Sequence, residues 1–313
     1  MENQYNNQKP RINNGKRFWR IWGPFLINWG IGTLIGVVAM LAFMTVYLAT
    51  HSTDIDILSF YQDQEAAMQV VEKVTEILLR YTTEIQGMAA LVTIPVMAVL
   101  YYRDRKREKL NGIISNKKAS LGQYIPMVLM AGMLNIVMNN LIMIGDLSSY
   151  SAEYRQTTEA FYSASLGMQL LCLGLLVPIA EELVFRGLMY RRMREDTGVV
   201  ISVIYSAVVF GLVHWNLVQM IYGTAMGLML AYVCEKYGSV AAPIAAHITV
   251  NLVSVLVTYF NIYNRIQADI LIVGVVTVAC ATGAACMFLL VQRIEETPDD
   301  LDRSERPFRE SKS

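Results

Sequence analysis

Long apolar runs constrain this chain more than any other feature of its sequence. The first extends from about Pro24 to Ala49, and runs of similar character recur as far as Val291. A run of about 20 apolar residues matches the hydrocarbon thickness of a bilayer, where only helices or closed barrels satisfy all their backbone groups. Only 17% of the residues are charged, whereas soluble domains carry about a quarter. We therefore expect an all-α, polytopic bundle of transmembrane helices.

The charged segments between these runs alternate in sign. Basic clusters lie at residues 9–20, 103–109 and 191–194, and acidic segments lie at 51–86 and 146–159. Because Lys and Arg concentrate in cytoplasmic loops, we place these basic clusters and both termini in the cytoplasm. The pattern predicts about eight spans, near residues 24–49, 87–102, 121–144, 166–190, 240–259 and 270–291, with two shorter ones between 199 and 236.

Composition divides the chain into four regions. Residues 1–20 form a basic cytoplasmic N-terminus, and residues 21–164 carry three spans with acidic outer loops and a basic inner loop. Residues 165–294 hold the remaining spans, and residues 295–313 form a charged tail that we expect to be cytoplasmic and disordered. Within residues 51–86, apolar side chains recur at helical spacing, which predicts an amphipathic helix outside the membrane.

Two carboxylates and a guanidinium lie inside the fourth apolar run, in the sequence AEELVFRG from Ala180 to Gly187. A charged side chain near the bilayer centre costs about 2.5 to 3.5 kcal/mol, so such residues are functional candidates and need partners. Glu182 and Arg186 have i, i+4 spacing, share a helix face and can form an ion pair. Glu181 points about 100° away and lacks that partner.

Two further polar pairs with the same spacing follow in later apolar runs. They are Phe210 with His214 and His247 with Asn251. If the inner boundary lies near Arg191, Glu181 is about 15 Å deep at about 1.5 Å per residue, and His247 lies at a similar depth. An antiparallel hairpin that turns near residues 197–198 brings His214 to the same height. The turn that follows His214 must then be buried in protein.

A carboxylate, two imidazoles and a carboxamide at one depth have the chemistry to hydrolyse an amide bond. A poorly solvated Glu181 is suited to act as general base for water, while His247 and Asn251 could donate hydrogen bonds to an oxyanion. The same atoms could instead bind a metal ion, with Glu181, His214 and His247 as ligands and zinc as the candidate. The residues leave both mechanisms open, so the cofactor is either absent or zinc.

The three motifs together carry a family resemblance. The sequences EELVFRG, FGLVH and HITVN match the patterns EExxxR, FxxxH and HxxxN, in that order on successive spans. The chain resembles the CPBP family, which comprises the type II CAAX prenyl endopeptidases and their bacterial relatives, also called Abi proteins. The resemblance covers about residues 165–260 and implies a catalytic core within residues 165–294.

The resemblance also implies a function and a role for each motif residue. The expected function is that of an intramembrane endopeptidase in a bacterial cell membrane, acting on a membrane-associated peptide or protein. Its partners would be that substrate and the lipid bilayer, with no role for nucleic acid. Glu181 would be the general base, assisted by His214, while His247 and Asn251 would form the oxyanion hole. The supporting residues, a structural ion pair and an aromatic ring, are Glu182, Arg186 and Phe210.

A second class of function would use the same residues without turnover. A transporter or an immunity-type binding protein could use buried charges as an ion path or as a recognition site. A transporter is expected to show inverted repeats or paired broken helices, and the sequence shows neither. A degenerate relative is expected to have lost Glu181, His214 or His247, and all three are present. Both observations favour the enzyme.

Overall fold

The computed structural model describes residues 14–51, 64–110, 119–147 and 149–294, apart from the side chains at 264 and 267. These residues are almost entirely helical and contain no strand. The helices are α1 (Asn14–Thr50), α2 (Gln64–Arg80), α3 (Thr82–Leu110), α4 (Tyr124–Ile144), α5 (Ala152–Tyr162), α6 (Leu166–Thr197), α7 (Val199–Leu212), α8 (Leu217–Tyr237), α9 (Ala241–Tyr259), α10 (Ile262–Gln267) and α11 (Ile270–Gln292). The predicted all-α architecture is confirmed, while the tail predicted at 295–313 lies outside the described residues.

Most of these helices are long enough to cross a membrane. Among the described residues, 7 segments have the required length and hydropathy, namely α1, α3, α4 with the preceding short turn from Leu121, α6, α8, α9 and α11. Helix α7 is apolar but has only 14 residues. It is therefore about 21 Å long, shorter than the hydrocarbon core of about 30 Å. The chain is a multi-pass integral membrane protein, and α7 is the short member of the predicted bundle.

Large apolar side chains point outward on the helices at the edge of the bundle. On α1, Leu34 and Leu41 are 65% and 62% exposed, and on α11, Leu271 and Val275 are 75% and 70% exposed. A contiguous apolar surface of this kind is unfavourable in water and is compatible with acyl chains. Helices α1 and α11 therefore present these faces to lipid.

Buried apolar side chains form two clusters, one on each side of the polar motifs. One cluster joins α4, α8, α9 and α11 and includes Met127 and Leu230. The other joins α1, α3, α6 and α7 and includes Met97 and Phe185. Helix α6 belongs to one cluster and α9 to the other. The motif residues of these two helices therefore meet where the two halves of the bundle join.

The connection from α6 through α7 to α8 forms the predicted hairpin. Gly198 alone separates α6 from α7 and has φ 77°, a conformation that favours glycine. Helices α7 and α8 approach closely, because a Cβ on Gly227 would lie 2.9 Å from Ala207 Cα. The turn after His214 is only partly buried: Asn216 is 8% exposed, but Trp215 is 83% exposed with φ 60°. The expectation that this whole turn is buried is therefore wrong for Trp215.

Ion pairs join the helix ends that the charge pattern assigns to the cytoplasm. Helix α3 does not end with its apolar span but continues through the basic segment to Leu110. Two pairs join α6 to α3, namely Arg191 with Glu108 and Arg192 with Asp104. Arg20 of α1 pairs with Glu195 of α6, and Arg194 of α6 pairs with Glu235 of α8. The basic clusters therefore bind neighbouring helices together in addition to marking the inner side.

Candidate active site

Helix α6 departs from regular α geometry on both sides of the two glutamates. Residues Gln169–Leu176 and Leu183–Tyr190 are π-helical, and Val177–Glu182 between them is α-helical. In the π register the Val177 N–H donates to Cys172 O, so the next residue, Pro178, would donate to Leu173 O if it had an N–H group. The carbonyl of Leu173 therefore needs a hydrogen-bond donor from outside the helix. π-helical turns of this kind are frequent at functional sites.

Asn251 supplies that donor from α9. Its Nδ2 donates to Leu173 O at 2.8 Å, and its side chain also lines the central cavity. One N–H of the carboxamide is therefore used to satisfy the backbone of α6. The second N–H remains for another acceptor, because an amide group carries two donors.

Glu182 and Arg186 form the ion pair that their spacing predicts. Arg186 Nη1 donates to Glu182 Oε1 at 2.8 Å, and both side chains are 0% exposed. Arg186 Nη2 donates to Gly227 O on α8 at 3.1 Å. The guanidinium also lies 4.5 Å from the centroid of the Phe210 ring, a cation–π distance. Arg186 thus connects α6 to both α7 and α8.

His247 connects the two glutamates. Its Nδ1 lies 2.9 Å from Glu182 Oε1, and its Nε2 lies 3.7 Å from Glu181 Oε2. Because a carboxylate only accepts hydrogen bonds, the Nδ1 atom carries the proton in this contact. Glu182 therefore orients the imidazole, as carboxylates do behind functional histidines, and does more than balance Arg186. The sequence analysis missed this contact, which depends on how α6 and α9 are rotated relative to each other.

Phe210 lies between the two histidines. Its ring centroid is 5.1 Å from that of His214 and 5.7 Å from that of His247, with edge-to-face geometry in both pairs. His214 Nδ1 donates to Phe210 O at 2.8 Å, which leaves Nε2 for the cavity. Within the described part of the chain, no hydrogen bond or ion pair joins His214 to Glu181. The structure therefore brings His247, and not His214, into contact with the glutamates.

A cavity of about 920 Å³ joins these groups. Glu181, His214, His247 and Asn251 all line it, so the three motifs share one space. Glu181 is the accessible carboxylate of the pair, with its side chain 25% exposed, whereas Glu182 lies behind His247. The volume is at the upper end of the range of about 300 to 1,000 Å³ for small-molecule pockets. The cavity is thus large enough for a peptide segment.

The comparison with known protein families covers the same segment. Residues 163–253 match the family described as "Type II CAAX prenyl endopeptidase Rce1-like", and they contain all three motifs. This segment, here called the CPBP segment, is similar to that family. The result confirms the CPBP resemblance that EExxxR, FxxxH and HxxxN carry.

A curated relative aligns with part of the chain. The Bacillus subtilis (strain 168) protein named "Putative membrane peptidase YdiL" is 30% identical over 90 residues. The aligned region covers 29% of this chain and 37% of that protein, so the chain spans little more than a third of the relative. No solved structure matches the chain.

The cavity extends beyond the CPBP segment into the first half of the chain. Side chains of α1, α3 and α5 complete its walls, including Asn28, Gln86 and Tyr154. Sequence reasoning identified none of these residues. The available signal was on α5, where Tyr154, Thr157, Thr158 and Phe161 follow helical spacing and share one face.

The CPBP residues do not form an evident metal site. Among the residues that the structure describes, no three His, Cys, Asp or Glu side chains are grouped to hold a metal ion. His247 is held by Glu182 in the manner of a metal-ligating histidine, but His214 Nδ1 is bound to a backbone carbonyl and no contact joins it to Glu181. In the part of the chain that the structure describes, Glu181, His214 and His247 are therefore not grouped as three ligands of one zinc ion.

Proposed function

We propose that the protein is an intramembrane endopeptidase that hydrolyses a peptide bond with a water molecule activated by Glu181. The contact of His247 with both glutamates, at one end of a cavity large enough for a peptide, is the observation that carries this proposal. The family match and the name of the Bacillus subtilis relative support the reaction class.

The charges of Glu181, Glu182, Arg186 and His247 are compatible with hydrolysis by an activated water molecule. Arg186 balances the charge of Glu182, so one proton shared by Glu181 and His247 makes the whole cluster neutral. Neutrality is favoured because an unbalanced charge is costly in a poorly solvated site. A separation of 3.7 Å between Glu181 Oε2 and His247 Nε2 is too long for a direct hydrogen bond. A water molecule can contact both atoms at this separation.

The reaction then needs only groups that line the cavity. Glu181 removes a proton from the water, whose oxygen forms a bond to the carbonyl carbon of the scissile peptide. The resulting oxyanion is stabilised by two donors in the cavity, which are the second N–H of the Asn251 amide and the protonated imidazole of His247. The carbon–nitrogen bond then breaks, and the leaving amine takes the proton held by Glu181.

The test compares matched carboxylate substitutions in purified protein. Short internally quenched peptides are incubated in detergent with the unaltered protein, with Glu181→Gln, and with Glu72→Gln, which changes an exposed carboxylate on α2. Loss of a general base should lower turnover by about 10²- to 10⁴-fold in the first variant and not in the second. Turnover that survives Glu181→Gln would refute the mechanism. Activity that follows stoichiometric zinc and disappears on chelation would instead assign the metal mechanism.

A further inference from the structure

The cavity has a polar wall that the reaction does not use. Helix α5 forms part of its outer wall, and Thr83 Oγ1 of α3 donates to Phe161 O of α5 at 2.7 Å. The cavity face of α5 carries Tyr154, Thr157 and Thr158, whereas the charged residues of this helix, which are Glu153, Arg155 and Glu159, are exposed and do not line the cavity. The helix thus presents only uncharged groups to the cavity.

Hydroxyl groups on the facing helices are held in place by a buried amide. Asn135 on α4 is 0% exposed, and its Oδ1 accepts hydrogen bonds from Tyr222 OH at 3.0 Å and Ser254 Oγ at 3.1 Å. Both hydroxyls line the cavity. On the outer side, burial raises the pKa of Tyr154, Tyr162 and Tyr263, so these cavity phenols stay neutral.

The ionisable groups of the cavity are confined to one end, apart from these phenols. Glu181, His214 and His247 lie at this end, and among the residues that the structure describes no Lys, Arg or Asp lines the cavity. An extended peptide exposes one N–H and one C=O per residue, and hydroxyl and amide groups can pair with both. A charged peptide side chain would be left without a partner there, which is unfavourable.

The cavity reaches toward the side opposite the basic clusters. Its walls include the N-terminal end of α3 at Thr82 and the C-terminal end of α9 at Thr258, both remote from Arg191. On the inner side, the ion pair of Glu182 with Arg186 and the buried cluster around Leu188 fill the bundle. The inter-helix ion pairs of α1, α3, α6 and α8 lie further inward.

We propose that the substrate reaches Glu181 from the outer face of the membrane and is a peptide segment with uncharged side chains. This inference rests on the proposed endopeptidase function and on the orientation given by the basic clusters. The polar wall formed by α5, Tyr222 and Ser254 binds the backbone of the peptide.

The sidedness is tested with unaltered protein in oriented membranes. Membrane-impermeant quenched peptides of uncharged residues are added to right-side-out and inverted vesicles from the same cells, and to protein solubilised in detergent. Detergent exposes both faces, so lack of turnover there contradicts the endopeptidase function itself. Turnover in detergent and in right-side-out vesicles alone supports outer access. Turnover in inverted vesicles alone overturns it and leaves the endopeptidase function intact.

The polar wall is tested with two lysine substitutions on α5. Thr157 lines the cavity and has its neighbour Gln156 exposed on the opposite side. Thr157→Lys should raise KM on the order of tenfold, because a long charged side chain replaces a hydroxyl of the polar wall, and Gln156→Lys should not. An unchanged KM in folded Thr157→Lys would overturn the binding role of α5.

Discussion

Replacement of Arg186 by methionine tests whether the buried ion pair holds the site together. Methionine keeps much of the side-chain volume but removes the charge and both hydrogen bonds, to Glu182 Oε1 and to Gly227 O. Removing one partner of a buried pair costs about 3 to 5 kcal/mol, because the remaining charge is buried without compensation. The unpaired Gly227 carbonyl adds about 1 kcal/mol. We expect Arg186→Met to lose about 4 to 6 kcal/mol of stability.

A double variant separates the stranded charge from the lost packing. Glu182→Gln removes the negative charge that Arg186→Met would strand, and the amide oxygen can still accept from His247 Nδ1. Since replacing both partners of a buried pair is often nearly neutral, the double variant should recover most of the lost stability.

Thermal unfolding in one detergent, followed by circular dichroism, measures both effects. The melting temperature of Arg186→Met should fall on the order of 10 °C and that of the double variant by much less. Glu181→Gln serves as the control, because its carboxylate is partly exposed and makes no contact with Arg186. A double variant that melts as low as Arg186→Met would refute the reasoning, since the stranded charge would then contribute nothing.

Three further predictions follow from contacts of the site. Glu182→Gln should destabilise the protein by about 3 to 5 kcal/mol, because Arg186 keeps a buried charge without its partner. In the protein that remains folded it should lower kcat by at least about tenfold and change its pH profile, because the imidazole loses its anionic partner; an unchanged profile would contradict the orienting role. Asn251→Ala should lower stability by about 1 to 3 kcal/mol, measured by thermal unfolding, because Leu173 O loses its donor, and an unchanged melting temperature would contradict that capping role. Gly227→Ala should destabilise α7 against α8, whereas Gly36→Ala on α1, where a Cβ meets nothing within 4 Å, should not; equal melting temperatures would contradict close packing.

The spans and the main ion pair were predictable because each depends on local spacing. The apolar runs matched helices such as α4, α9 and α11, and the i, i+4 spacing of Glu182 and Arg186 placed their side chains in contact. The depth of Glu181 and His247 was also estimated from residue counts along regular helices, and the two side chains do lie close together.

The contacts that sequence reasoning missed depend on geometry between helices. Whether His247 faces Glu182 or Glu181 is set by the rotation of α9, which spacing along one helix does not give. The hydrogen bond from Asn251 to Leu173 O depends on the π register of α6. In that register the missing N–H group of Pro178 leaves Leu173 O without its donor in the helix. The role of α5 as a cavity wall required knowledge of which face of an exposed helix turns inward.

The depth of the cavity has an electrical consequence for the cell. Where water fills the cavity down to Glu181, the outer half of the protein conducts almost as well as the external medium. Most of a transmembrane voltage then falls across the inner layer that contains Arg186 and the ion pairs of α1, α3, α6 and α8, where each unit charge responds by about 2.3 kcal/mol per 100 mV. With access from the outer face as proposed, Glu181 then lies close to the external electrical potential.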